Sequence, residues 1–224
     1  MTFSGSLQPN GGSIPPTHIR AASGGEEVDE SMPHLGETNE NPRDIGFFAL
    51  LAEDLRTHEG DLFAQGFWAL AVHRFGNWRM QVHPRVLRLP LSLAYRGSFK
   101  LVEWTCGISL RYTVVVGRRV RIWHHSGMIL GALRIGDDVH IRQNTTCGVA
   151  HRGDPRGRKP IIGNRVDIGA GAVVVGGITI GDDSVIGANA VVLQDVPPNS
   201  VAVGIPARIL PRHPLSADGS NHSA

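Results

Sequence analysis

The sequence predicts a mainly β protein, in which short strands stack into a parallel solenoid that is preceded by a small α-helical domain. Gly and Pro supply 28 and 14 of the 224 residues and only 19% are charged, a composition unlike that of long amphipathic helices. From residue 107 onward, an aliphatic residue recurs at a six-residue step. Before that point, apolar residues recur at spacings of three and four, as on one face of a helix.

The two ends of the chain are predicted to be disordered. Residues 1–43 form a leader rich in Ser, Gly, Pro, Asn and Glu, with too little apolar surface to offset the entropy of ordering. The tail, 211–224, has the same character. The N-terminus has no apolar signal-peptide core, and the stretch 86–110 is too interrupted by charges and proline to span a bilayer. We therefore expect a cytoplasmic protein without membrane insertion.

The segment 44–106 is predicted to form the α-helical domain. Apolar residues at helical spacing indicate a first helix around 47–55 and a second over 67–78. Pro84 suits the first turn of a third helix that runs towards Glu103, because a helix needs no amide donor there.

The segment 107–210 is predicted to form the solenoid. A period of six fits neither an α-helix nor a single alternating strand, but it fits three short strands per turn with the periodic residue pointing inward. Gly or Asn near each corner would supply the positive φ or the close backbone approach that a tight turn needs. The periodic residues are Val116, Ile122 and Met128, then Ile135, Ile141 and Cys147 after a slip of one, and finally Ile162, Ile168, Val174, Ile180, Ile186 and Val192.

One loop, 148–160, interrupts the repeat with polar and basic residues. A loop that leaves an otherwise regular scaffold is a common place for function. The net charge of +2 is too small to indicate nucleic-acid binding. Cys106 and Cys147 form no spaced metal or redox motif, so no disulfide framework is expected.

Three segments carry a family resemblance: the helical 67–78, the stretch 122–131 with its Trp-His-His-Ser-Gly motif, and 196–208 with Val-Pro-Pro-Asn-Ser. With the repeats, they resemble the hexapeptide-repeat acyltransferases of the serine acetyltransferase type. The resemblance implies a left-handed parallel β-helix and a homotrimer or dimer of trimers, with active sites between neighbouring coils. It also implies acetyl-CoA as co-substrate, direct transfer to an acceptor hydroxyl, and no metal.

The resemblance places the catalytic histidine at His124, with a structural role for His124 or catalysis by His125 as the alternatives. Neutral imidazole suits this task, because an alcohol becomes a competent nucleophile when a base removes its proton during attack. Backbone N–H groups near the thioester carbonyl would stabilise the oxyanion. The family usually has Asp immediately before this histidine, whereas this chain has Trp123.

The resemblance implies four further residues at the acceptor site. Arg158 and Lys159 would clamp an acceptor carboxylate or other anion, although both also suit a solvated loop. Lys159 stands where the family has a second histidine, and His151 could supply that imidazole from within the loop. Asp61 corresponds to an acidic residue that the family contributes from its helical domain.

For acetyl-CoA, the resemblance indicates Gly148, Ala150, Ala170 and Ala188 as small positions beside the pantetheine arm. A larger side chain there would block hydrogen bonds between the backbone and the amides of the arm. Solenoid corners also need small residues for their own packing, so this second explanation stays open.

The expected function is the acetylation of L-serine to O-acetyl-L-serine for cysteine biosynthesis, and the alternative is acetylation of a sugar hydroxyl in capsule or exopolysaccharide assembly. His124, His125, His140 and His151 raise the question of a zinc hydratase, since some hexapeptide-repeat trimers resemble carbonic anhydrases that bind zinc through three histidines. This function is disfavoured, because those enzymes place two histidines five residues apart within the repeats and this chain has no such pair. A scaffold for a cysteine-synthesis complex is disfavoured, because the chain ends Asn-His-Ser-Ala where the family's partner-binding tail ends in Ile.

Overall fold

The computed structural model describes residues 36–151, 153–154 and 158–212. The disorder predicted for residues 1–35 of the leader and for the tail beyond Arg212 falls outside these residues. For 36–43 the prediction is wrong, because this segment packs on the second helix: Asn41 is buried and donates to the carbonyl oxygen of Arg74 at 2.9 Å. The described residues belong to one compact unit, Pro33–Ala224. Within the described ranges, no helix is both long enough and apolar enough to cross a membrane.

Three α-helices precede the strands, as the apolar spacing predicts. They are α1 (Phe47–Thr57), α2 (Gln65–Trp78), which continues into a short 3₁₀ turn (Arg79–Gln81), and α3 (Arg85–Cys106). Pro84 lies at the N-cap of α3 in an extended conformation (φ −74°, ψ 164°), one residue before the first turn predicted for it. Helix α3 ends at Gly107, whose left-handed conformation (φ 64°) turns the chain into the first strand.

The strands form three parallel sheets, each visited once per turn of a left-handed parallel β-helix. Sheet A contains β1 (Ile108–Ser109), β4 (Met128–Leu130), β7 (Thr146–Gly148), β10 (Val173–Val175) and β13 (Val191–Val192). Sheet B contains β2 (Val115–Val116), β5 (Arg134–Ile135), β8 (Ile161–Ile162) and β11 (Thr179–Ile180). Sheet C contains β3 (Arg121–Ile122), β6 (His140–Ile141), β9 (Asp167–Ile168), β12 (Val185–Ile186), β14 (Ser200–Val203) and β15 (Arg208–Pro211). Strand β15 runs antiparallel to β14, a closing hairpin that the six-residue step does not predict.

The periodic aliphatic residues fill the core, which confirms the prediction that they point inward. From Val116 to Val192, each of them is at most 3% exposed. The slip between Met128 and Ile135 has a different origin from the one that the spacing indicates: Leu130 pairs with Cys147, so the chain takes eight residues from Ile122 to Leu130 and five from Leu130 to Ile135, while Met128 is buried beside it. Burial of a column of aliphatic side chains stabilises each coil against the next, since removing apolar surface from water is the main favourable term in folding.

The solenoid corners meet the two needs predicted for Gly and Asn, a close backbone approach and a positive φ, at different positions. Gly136 allows close stacking, since a Cβ there would lie 2.4 Å from the carbonyl oxygen of Gly163 in the next coil. The left-handed position of the corners between sheets B and C belongs instead to non-glycine residues, among them Asp138 (φ 56°) and Arg165 (φ 54°). Their side chains form a ladder of ion pairs along the corner, in which Arg119 binds Asp138 at 2.6 Å and Arg165 binds Asp183 at 2.7 Å.

Helix α2 packs on the first coil through a stripe of buried polar side chains. Arg74 forms a fully buried ion pair with Asp54 of α1 (Nε–Oδ2 3.0 Å). It also donates to the carbonyl oxygens of Val116 (2.7 Å) and Gly117 (2.6 Å). One residue earlier, the ring of His73 bonds the carbonyl oxygen of Val114 at 2.8 Å. These bonds tie the helices to the end of the solenoid.

Candidate active site

His124 lies in the first corner between sheets C and A, which we call the first C–A corner (residues 123–127). The strands of sheet C align Ile122 with Ile141, Ile168 and Ile186 in successive coils. The residues two positions further along therefore form one column down the edge of the solenoid. That column contains His124, Gln143, Ala170 and Ala188.

The backbone of the first C–A corner differs from that of the corners below it. His124 (φ 58°) and Ser126 (φ 99°) both adopt the left-handed region. In the next three C–A corners, the left-handed residue is the one that follows the column: Asn144, Gly171 and Asn189. Such a conformation is costly for a residue with a long side chain, and residues held in it concentrate at functional sites.

A cleft of about 440 Å³ opens beside this corner. Its walls are formed by the segment between α1 and α2, by β3 and by the corner itself. Its polar and aromatic lining includes Asp61, Gln65, Arg121, Trp123, His124 and His125. The structure thus places Asp61, a predicted acceptor-binding residue, in the same cleft as His124, and both imidazoles of the motif are exposed to solvent.

His58 supports the strand that leads into the corner. Its Nδ1 lies 2.8 Å from the carbonyl oxygen of Asp54, and its Nε2 lies 3.3 Å from the amide nitrogen of Ile122. Because the amide donates to Nε2, that nitrogen carries no proton and Nδ1–H donates to Asp54. Burial lowers the pKa of His58, which favours this neutral form. Sequence reasoning did not identify His58, because no pattern distinguishes a lone histidine at a helix end.

Trp123 occupies the position immediately before His124, and it is held on two sides. The guanidinium of Arg121 lies 3.5 Å from the centre of the ring, and Arg121 is itself paired with Glu59 at 2.6 Å. The indole Nε1–H donates to Nδ1 of His140 in the next coil at 3.0 Å. His140 entered the sequence analysis only as a residue for zinc, and its contact with Trp123 was not foreseen.

The predicted acceptor-binding residues of the loop lie on another edge of the solenoid. The loop 148–160 connects β7 of sheet A to β8 of sheet B, whereas His124 lies between sheets C and A. Arg158 is exposed and packs near Gly177, and His151 is exposed with its amide bonded to Asp154. None of the described loop residues, Lys159 included, lines the cleft of His124. Within one chain, the structure does not bring the loop and His124 together.

The predicted acetyl-CoA positions divide between the same two edges. Ala170 and Ala188 lie in the column of His124, whereas Gly148 and Ala150 lie where the loop leaves sheet A. A Cβ on Gly148 would meet no atom within 4 Å, so corner packing does not require glycine at this position. Gln143, which the sequence patterns did not identify, lies in the corner below that of His124, and its Oε1 is buried without a hydrogen-bond partner among the described residues.

Across residues 36–151, 153–154 and 158–212, no three His, Cys, Asp or Glu side chains are grouped so as to hold a metal ion. His124 and His125 line the cleft, whereas His140 bonds Trp123 from the next coil and His151 lies in the loop. The four histidines weighed for a zinc site are therefore distributed over separate parts of the solenoid.

Comparisons with known proteins agree with this architecture. Residues 159–194 match the family described as bacterial transferase hexapeptide (six repeats). The chain is 37% identical over 155 residues to the serine acetyltransferase of Mycobacterium tuberculosis, covering 69% of this chain and 64% of that protein. It is 42% identical over 116 residues to that of Helicobacter pylori, covering 51% of this chain and 67% of that protein. The chain thus spans somewhat less than two thirds of the length of the mycobacterial relative.

The solved structures that resemble this one carry the same name. The soybean serine acetyltransferase apoenzyme superposes with a TM-score of 0.61 at 30% sequence identity, over 73% of this chain and 69% of that chain. The soybean enzyme complexed with serine superposes with the same score. The similarity therefore covers the helices and the solenoid together.

Proposed function

The chain belongs to the serine acetyltransferase family, and from that premise we propose that it transfers the acetyl group of acetyl-CoA to the hydroxyl of L-serine. The product would be O-acetyl-L-serine, a precursor for cysteine biosynthesis. One observation carries the proposal: an exposed histidine in a left-handed corner faces a cleft with Asp61 and stands in line with Ala170 and Ala188. We place the reaction in the cytoplasm, where acetyl-CoA is available.

In the proposed mechanism, His124 acts as the general base. A ring nitrogen of the neutral imidazole takes the proton of the serine hydroxyl while the oxygen attacks the thioester carbonyl. The tetrahedral intermediate collapses with breakage of the C–S bond, and the imidazolium returns its proton to the departing CoA thiolate. The acetyl group moves directly to serine, without a covalent enzyme intermediate.

Asp61 is suited to bind the ammonium group of serine. Its carboxylate lies in the cleft of His124, and Oδ1 accepts a hydrogen bond from the amide of Phe63 at 2.7 Å, which fixes the direction of the side chain. A carboxylate bonded to an ammonium group makes a charge-assisted hydrogen bond, which is stronger than a neutral one. This contact would favour an amino acid over a neutral alcohol.

The carboxylate of serine requires a cation that the cleft does not supply, since Arg121 is already paired with Glu59. Arg158 and Lys159 would provide it from a neighbouring chain, because their loop lies on the opposite edge of sheet A. We therefore propose a homotrimer, or a dimer of trimers, in which one chain's loop faces the next chain's C–A edge. The five strands of sheet A contain no charged residue, and Ile129 and Leu193 on this side of the solenoid are each 55% exposed.

Acetyl-CoA would then lie along the C–A edge, with its thioester beside His124. Ala170 and Ala188 leave room for the extended pantetheine arm, and Gly148 and Ala150 of the neighbouring chain would face it from the other side. The unpartnered Oε1 of Gln143 lies between His124 and Ala170 and is suited to accept a hydrogen bond from an amide of the arm.

The experiment is a free-thiol assay on the full chain with acetyl-CoA and a panel of acceptors. We expect CoA release with L-serine and none above background with D-serine, a nucleotide sugar or an oligosaccharide. Replacing Asp61 with Asn should raise KM for L-serine by roughly tenfold, the equivalent of about 1.4 kcal/mol, while KM for acetyl-CoA stays unchanged. CoA release with a sugar acceptor but not with L-serine would refute the serine assignment.

A further inference from the structure

We propose that Trp123 is a positioning residue, which together with Arg121 and His140 holds His124 in the left-handed conformation that turns its imidazole into the cleft. The proposal rests on the proposed function only in taking His124 as the general base. Trp123 itself need not touch either substrate.

The conformation of His124 is not one that the repeat provides. In the three C–A corners below, the left-handed position falls on Asn144, Gly171 and Asn189, and Asn and Gly tolerate that region well. The first corner keeps that position at Gly127 (φ 63°), which lies three residues before Leu130 as Asn144 lies three before Cys147, and it places His124 in the left-handed region as well. A conformation of this kind persists only where the surrounding structure determines it.

Trp123 is the residue of this corner whose side chain is fixed by contacts with two other elements. The guanidinium of Arg121 covers the ring at 3.5 Å, and Glu59, just beyond the end of α1, holds Arg121 through a 2.6 Å ion pair. The indole N–H bonds His140 on β6, which links the corner to the coil below. The residue just before His124 is thus attached both to the helical region and to the second coil.

The next coil offers a comparison at the same register. Arg142 occupies the position equivalent to Trp123, one residue before Gln143, and its side chain is paired with Asp167 of the coil below it. The two corners that follow have Gly169 and Gly187 at this position, and each packs closely on the coil below. Trp123 and Arg142 thus each connect their own corner to the next coil. They differ in the residue that follows: His124 after Trp123 is left-handed, whereas Gln143 after Arg142 is not.

The hydrogen bond to Nδ1 also defines which variants are informative. Trp123→Phe keeps an aromatic ring beneath Arg121 and removes the N–H donor. His140→Leu removes the acceptor, whereas His140→Asn places a carboxamide oxygen near the position of Nδ1 and can accept the same bond. Arg142→Ala is the matched control, since it removes the equivalent side chain from the next coil.

The test combines steady-state kinetics of the full chain with crystal structures of the variants. We expect Trp123→Phe and His140→Leu each to lower kcat by about tenfold or more, because small displacements of a catalytic group reduce rates steeply, while KM for serine and for acetyl-CoA stays within about twofold. His140→Asn should recover most of kcat, and Arg142→Ala should stay within about twofold of the parent chain. In the crystal structure of Trp123→Phe, the φ of His124 should leave the left-handed region.

Two results would overturn the proposal: an unchanged His124 backbone in both Trp123→Phe and His140→Leu, or a loss that resides in KM for the acceptor rather than in kcat. The second result would mean that Trp123 contacts the acceptor. The crystallographic measurement does not depend on the acceptor. If the parent chain fails to acetylate serine, the proposed function fails, while the conformation of His124 in the variants still decides the positioning role.

Discussion

The first C–A corner and the three corners below it differ in length and in construction: eight residues separate Ile122 from Leu130, the partner of Cys147, whereas six separate Ile141 from Cys147. Each later corner is covered on both sides by other coils, and its packing is close: a Cβ on Gly169 would lie 2.5 Å from the amide nitrogen of Ala188. Strand β3 is the outermost strand of sheet C, so the first corner has no coil above it. Helical segments border it instead, with Gly66 of α2 against Ile122.

This difference shows how a repetitive fold obtains a reactive site. The third and fourth corners have small residues at these positions, Gly169-Ala170 and Gly187-Ala188, where adjacent coils are only about 4.8 Å apart. At the end of the stack that restriction is lifted, so the first corner accommodates Trp123 and His124 and gains a cleft between the solenoid and the helices. The column below keeps its small residues, Ala170 and Ala188, and thereby keeps its groove.

The largest effect should follow from removing the imidazole of the first corner. Replacing His124 with Ala should lower kcat by about 10²–10⁴-fold, the usual contribution of a general base. CoA binding, measured by titration calorimetry, should be retained, because the column below His124 is unchanged. The matched control is His125→Ala, which removes the neighbouring imidazole from the same cleft and should keep most of the activity.

This prediction distinguishes the two histidines of the motif. If His124→Ala keeps more than about a tenth of kcat, the loss is too small for a general base. If instead His125→Ala loses activity as strongly as His124→Ala is expected to, the base is His125. A comparable loss in both variants would mean that the corner acts through its conformation and not through one imidazole.

Much of the fold follows directly from the sequence, because the solenoid is determined by one local rule. A buried aliphatic residue at every sixth position specifies an inward-facing strand residue, and residues such as Ile162, Ile168 and Ile180 are fully buried. The repeat also predicts on which edges of the solenoid the loop and His124 lie. Counting hexads assigns the loop 148–160 to the turn after sheet A and His124 to the turn after sheet C, which already predicts that the two lie on different edges.

The support of the site could not be predicted in the same way. His58, Arg74 and His140 act through single contacts with backbone or side chains that are distant in sequence, and no periodic pattern marks them. Arg74 even occupies a helical position that spacing alone assigns to an apolar residue. Such residues become recognisable only when the helices are packed on the first coil, since their partners are defined by tertiary structure.

The second prediction concerns the buried Arg74–Asp54 ion pair, through which the helices are bonded to the first coil. Replacing Arg74 with Met leaves Asp54 buried without its partner, and this should lower the free energy of unfolding by about 3–5 kcal/mol. Arg165→Met is the control on the exposed ladder, where loss of the solvent-screened pair with Asp183 should cost far less than loss of the buried pair. Urea unfolding at a fixed protein concentration measures both values.

The double variant Arg74→Met, Asp54→Leu sharpens this test. Removing both charges avoids an uncompensated buried carboxylate, so it should recover part of the stability that Arg74→Met alone loses. If Arg74→Met is no more costly than Arg165→Met, the buried pair does not hold the helices on the coil, and the contrast between the first corner and the later ones loses its physical basis.

The third prediction concerns pH, since two buried histidines bond the backbone of the first coil: His58 the amide of Ile122 and His73 the carbonyl of Val114. Burial lowers the pKa of His73 to about 3 and also lowers the pKa of His58. Both folded-state values lie below the unfolded value of about 6.5, so the unfolded chain binds more protons in acid. Stability should be complete above about pH 6.5 and should fall below it by up to about 1.4 kcal/mol per pH unit for each histidine.

Between pH 6.5 and 5 the carboxylates whose pKa values are lowered, such as Asp138 and Asp183, stay ionised. Burial raises the pKa of Asp54, so its protonation in acid opposes the loss, and comparison of the parent chain with His73→Gln isolates His73 because Asp54 is common to both. His73→Gln keeps a donor for the carbonyl of Val114 without titrating, and it should roughly halve the slope. Amide exchange locates the effect, because protonated His58 no longer accepts from Ile122, whereas the amide of Gly187 donates to the carbonyl of Ala202 at any pH. Equal acceleration of both amides on acidification would mean that the first corner is no more sensitive to acid than the later ones.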